Sequence, residues 1–144
     1  MTDTRDEQGS AVIEFITLGM LLLLPVAYLV LILGRVQAAT FAANGAAREA
    51  TRSYVTAANS GEGQVRAAAS AELALQDQGF GSEEGELQIV CSRALCLTPG
   101  ERVRAEVRVT ADFPWLPAGL AETLRAHVVV TASQVETVDR FRAP

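Results

Sequence analysis

Residues 15–34 form a stretch of 20 residues without a charge, and no other feature constrains this chain so strongly. At about 1.5 Å per residue, a helix of that length spans roughly 30 Å, the hydrocarbon thickness of a bilayer. The run contains Leu21-Leu22-Leu23-Leu24 and a second apolar block at 29–33, with no polar stripe of the kind a soluble core helix shows. It therefore reads as a membrane-spanning helix. Pro25 lies inside it, and membrane helices accommodate proline with a kink where a helix in water would break. A cleaved secretory signal is the rival reading, helped by the small residues Ala38-Ala39-Thr40 after the run. It fits less well. The run exceeds the roughly 7–15 residues of a signal core, and the preceding Thr2-Asp3-Thr4-Arg5-Asp6-Glu7-Gln8 is acidic rather than basic.

What remains of the 144 residues is enough for one modest core. Seventeen acids stand against 12 arginines, there is no lysine, and the net charge is −5. An acidic chain without a basic tract is poorly suited to nucleic acid. Without lysine there is no Walker lysine and no Schiff-base nucleophile. One histidine and two cysteines do not fill a four-ligand zinc site without carboxylates, and no metal-ligand spacing is present. No nucleophile–base pair stands out either. The expectation is a non-enzyme with no catalytic residue, metal or cofactor.

The segment before the apolar run is Gly9-Ser10-Ala11-Val12-Ile13-Glu14-Phe15. A carboxylate one turn inside a membrane helix is costly, less so at the rim, where headgroups solvate it. Gly9 followed by Glu14 and Phe15 resembles the prepilin-peptidase signal of type IV pilin-like proteins. Gly34-Arg35-Val36-Gln37-Ala38-Ala39 and Gly45-Ala46-Ala47-Arg48-Glu49-Ala50-Thr51-Arg52 are similar to the TadE-like family of Flp/Tad pilus assembly. The resemblance covers residues 9–55 well and the remainder in plan. It implies cleavage after Gly9, leaving Ser10 as the new N-terminus, Glu14 fifth and Phe15 sixth. It further implies that Glu14 pairs with the Ser10 amine of a neighbouring subunit and sets register. Two features depart from the family pattern: the leader carries one arginine and three acids, and Pro25 lies deep in the span.

Topology signals conflict. Arg5 precedes the span while Arg35, Arg48 and Arg52 follow it, so a literal positive-inside count places the C-terminal part in the cytoplasm. The resemblance implies the opposite: leader 1–9, transmembrane helix 10–34 and extracytoplasmic domain 35–144. Cys91 and Cys96 bear on the choice. Cys-x4-Cys is neither the redox nor the zinc pattern, and outside the cytoplasm the pair reads as a disulfide pinning a hairpin.

Beyond the span, Val36, Thr40, Ala43, Ala47, Ala50 and Tyr54 recur at spacings of four and three, a seam of small residues on a continuing helix. The seam packs either on the protein's own sheet, which is favoured, or on another subunit. Asn59-Ser60-Gly61-Glu62-Gly63 reads as a turn. A second helix is expected over 64–78 with Val65, Ala69 and Leu73 on one face. Gly79 is its candidate C-terminal cap, and 79–85 is a loop whose acids form a solvated tip. Strands are expected over 86–91, 102–113 and 126–138, the second with Val103, Ala105, Val107 and Val109 alternating with polar residues. A short helical stretch is expected near 118–124. Trp115 is read as packing on the sheet rather than anchoring at a membrane interface, and His127 as structural.

The expected fold is α+β: a long, half membrane-embedded helix, a second helix and a small antiparallel sheet of about three strands, pilin-like in plan. The expected function is a minor pilin or pseudopilin of a Flp/Tad-type pilus or related secretion machine. Its partners would be other pilin subunits, the prepilin peptidase, the Tad assembly platform and the membrane, with no nucleic acid. The alternative is a permanently membrane-anchored extracytoplasmic binding domain that is never processed.

Overall fold

The computed structural model describes residues 5–93, 95–113, 119 and 126–141, with side chains from residue 11 onward. The fold is α+β. Its order is helix α1 (Arg5–Val55), helix α2 (Ser60–Gln76), a 3-10 turn (Ser82–Glu84) and strands β1 (Gly85–Cys91), β2 (Arg102–Asp112) and β3 (His127–Thr137). The chain divides into two units between Gly34 and Arg35.

The first unit is helical throughout its described length and contains Pro25. Its large apolar side chains face outward, with Phe15 at 79% and Leu21 at 75% exposure. This part of α1 is long and apolar enough to cross a membrane.

The second unit has a core of small helix residues against valines and alanines of the sheet. From α1 come Ala39, Ala42, Ala43, Ala46, Ala47, Ala50 and Tyr54, all at most 1% exposed. From the sheet come Val103, Ala105, Val107, Val109 and Ala111, the fully buried face of β2. The small-residue seam thus packs within the chain itself. It is broader than the periodicity implied, and Thr40 is exposed, donating back to the Val36 carbonyl at 2.9 Å. Thr51 is buried, and its hydroxyl serves the Ala47 carbonyl one turn back.

Helix α2 corrects two expectations. Asn59 is not in a turn but caps the helix, its side chain accepting from the Glu62 N–H at 2.9 Å. Ser60 to Gly63 therefore form its first turn. The buried face is Gly63, Ala67, Ala71 and Leu75. Val65 and Leu73 point outward at 71% and 62% exposure. Gly63 is buried because Tyr54 needs the room, a Cβ there lying 3.1 Å from the Tyr54 ring. A hydrogen bond between the Ser53 and Ser70 hydroxyls (2.7 Å) joins α1 to α2. At the other end Gly79 adopts φ 75°. The Phe80 N–H reaches the Leu75 carbonyl and the Gly79 N–H the Gln76 carbonyl, the paired bonds of a Schellman close.

The sheet is an antiparallel meander in the order β1-β2-β3. Val90, Arg104 and Val135 share one cross-strand row and Ile89, Ala105 and Gln134 the next, so the faces alternate strictly. The strands end within one residue of the expected bounds. Trp115 and, apart from Gly119, the stretch near 118–124 lie outside the described residues.

Candidate functional site

The motif residues lie on the first unit. Gly9 and Ser10 fall within α1. Glu14 and Phe15 follow with exposed side chains, and the Thr17 hydroxyl back-bonds to the Ile13 carbonyl at 2.8 Å. Ser10 and Glu14 are four residues apart along α1. Among the described residues Glu14 has no ion-pair partner. One turn further on, Gly19 leaves a notch of about 330 Å³ lined by Phe15, Leu18, Gly19, Leu21 and Leu22. No polar side chain enters it. A glycine notch flanked by large apolar residues suits close approach of a second apolar helix.

Cys91 and Cys96 form the expected disulfide, S–S 2.05 Å, in the connection between β1 and β2. That connection is further tied to the end of β3 and to itself. The Gly100 N–H donates to the Val138 carbonyl and the Val138 N–H to the Glu101 carbonyl, with Gly100 at φ 80°. Ser92 donates its hydroxyl proton to Glu101 Oε2 at 2.6 Å, and Arg93 pairs with Glu101 Oε1 at 3.0 Å. His127 is exposed at the first position of β3, opposite Asp112.

One cluster has no counterpart in the sequence reading. Arg35, the first charged residue after the apolar run, is held by the loop after α2. It donates to the Gly79 carbonyl at 3.2 Å and to Glu84 Oε1 at 2.9 Å, and its guanidinium carbon lies 4.0 Å from the centre of the Phe80 ring. Glu84 Oε2 in turn accepts from the Gly81 N–H at 2.7 Å. Glu84 is therefore not part of a solvated tip; it is the carboxylate of a partly buried ion pair. Phe80 is 1% exposed, so the cation packs against a ring fixed in the core. The partners are 44 and 49 residues from Arg35, and no local pattern announces such a contact. The only sequence signal is the position of a lone arginine where the apolar run stops.

No group of His, Cys, Asp and Glu side chains among the described residues has the spacing of a metal site. Comparison of the chain with family models, with curated proteins and with solved structures finds no match.

Proposed function

We propose that this chain is a minor pilin or pseudopilin of the TadE-like kind, a structural or assembly component of a Flp/Tad-type pilus or related secretion machine. In this reading a prepilin peptidase cuts after Gly9, and the mature chain is held in the membrane by α1 with Ser10 at its start. The supporting observation is Glu14. It stands alone on a helix whose other side chains over 15–34 are uncharged, and it has no ion-pair partner among the described residues. A carboxylate at that depth is unfavourable unless paired or neutral. A new α-amine on Ser10, mostly protonated at neutral pH, is a suitable partner when supplied by a neighbouring subunit. The apolar notch at Gly19 gives such a neighbour a place to approach. The Cys91–Cys96 disulfide supports a domain outside the cytoplasm, with the N-terminus inside. Other pilin subunits, the peptidase and the assembly platform are then the partners.

N-terminal sequencing of the membrane-extracted protein tests processing. Ser10 as first residue supports the proposal; Met1 or Thr2 supports a permanently tethered binding domain. Glu14→Ala tests assembly. The variant should accumulate in the membrane at least as well as the parent, since alanine is cheaper than glutamate there, yet fail to support pili. Normal piliation with Glu14→Ala would leave the glutamate a mere rim residue and remove the proposal's main support.

A further inference from the structure

The sheet face turned away from the core carries a depression of about 470 Å³ lined by Val90, Cys91, Ser92, Arg102, Arg104 and Val135. Two rows of the ladder that are neighbours on this face, with the Val103 row between them facing the core, build it. In one, Arg104 stands between Val90 of β1 and Val135 of β3. In the other, Arg102 stands opposite Thr137 and accepts from the Ser92 N–H at 3.1 Å through its carbonyl. Two residues apart on one strand, the arginines leave the same face about 7 Å from each other.

Two of the nearby acids are engaged elsewhere. Glu101 is taken by Ser92 and Arg93, and Glu86 pairs with Arg108 at 3.4 Å. Glu106, two residues beyond Arg104 on the same face, pairs with neither arginine. Among the described residues Arg102 and Arg104 have no ion-pair partner. In a chain of net charge −5, two arginines on one sheet face without an ion-pair partner among the described residues run against the trend, and Glu106 beside Arg104 and Glu101 beside Ser92 border them. Their setting is also partly apolar, with Val90 45% and Val135 43% exposed on either side of Arg104. A weakly hydrated guanidinium between branched apolar side chains favours a ligand that brings both an oxyanion and apolar surface.

We propose that this depression binds an organic oxyanion. Arg102 and Arg104 hold a carboxylate or phosphate, and the apolar body of the ligand rests on Val90 and Val135. The proposal is independent of the pilus reading, since it uses only the face of the sheet. The test uses the full chain in detergent micelles with methyl-labelled valine. Phenyl phosphate, benzoate, inorganic phosphate and phenol are titrated in turn while the Val90 and Val135 methyl resonances are followed. Phenyl phosphate and benzoate should give saturable shifts at both valines, inorganic phosphate should bind about tenfold more weakly, and phenol should give no saturable shift. Arg102→Gln and Arg104→Gln should each weaken phenyl phosphate binding by roughly tenfold or more. Arg108→Gln, on the same face but paired with Glu86, should leave it unchanged. The proposal is overturned if phenol matches phenyl phosphate, if inorganic phosphate binds as tightly, if no shift saturates, or if Arg104→Gln binds like the parent while its spectrum shows an intact fold.

Discussion

On α1, Leu21 is 75% exposed and Leu31 50%, whereas Ala43 and Ala47, on the same helix in the second unit, are 0% exposed. The two regions invert the usual association of large apolar residues with the inside. In the first, leucine, isoleucine and phenylalanine face outward on a helix long and apolar enough to cross a membrane, with no contacts from the rest of the described chain to cover them. In the second, alanine is chosen because the neighbour is the protein's own sheet and branched residues on that sheet already fill the space. Helix residue size here follows the identity of the neighbour, not the depth of burial. Each region should therefore respond to substitutions that leave the other untouched.

The largest effect is expected at Phe80, which is 1% exposed and packs against both the core and Arg35. Phe80→Ala should lower the stability of the second unit by about 4 kcal/mol, read by thermal unfolding in detergent, with membrane association unchanged. A comparable loss of membrane association would break the separation of the two regions. Leu23→Arg is the converse. A charge in the middle of the apolar run costs about 3 kcal/mol on insertion, so the membrane-bound fraction should fall sharply while the unfolding transition stays where it was. The smallest of the three concerns the connection between β1 and β2. Cys91→Ser with Cys96→Ser should reduce stability by about 2 kcal/mol, as the chain-entropy account gives for so short a loop. No change in unfolding would show that the Gly100 and Glu101 bonds already hold this connection alone.

Much of the fold can be read directly from residues. The apolar run declares its helix by length, the alternation from Val103 to Val109 declares β2, and Cys91 with Cys96 declares the hairpin staple. The reading fails where size and hydropathy part company. Val65 and Leu73 look like a core face, but the buried side of α2 is Gly63, Ala67, Ala71 and Leu75. The helix lies close to Tyr54 and the sheet, and the small residues Gly63, Ala67 and Ala71 are what let it do so. Hydropathy ranks glycine and alanine low, so it selects the wrong side. Asn59 misleads for another reason: asparagine beside glycine signals a turn as readily as a cap, and only the Glu62 N–H on its side chain decides between them. The Arg35 cluster escapes because its bonds close over more than forty residues. On the candidate site, the residues Gly9, Ser10, Glu14 and Phe15 carry their information in the motif alone. The depression at Arg102 and Arg104 emerges only when the strand register sets two valines beside them.

The alanine face of α1 leaves an imprint on how the sequence can drift. From Ala39 to Ala50 the buried helix positions already carry nothing larger than a methyl group, so truncation there has almost nothing to remove. Growth is the only direction open, and growth must be matched elsewhere, because a close-packed interior has no spare room for added methylenes. Changes on this helix should then arrive in couples: an enlargement on α1 accompanied by a shrinkage on the sheet beneath it, valine giving way to alanine on β2 as alanine gives way to valine above. The branched residues of the sheet hold the volume in reserve, and the helix spends it only when they yield.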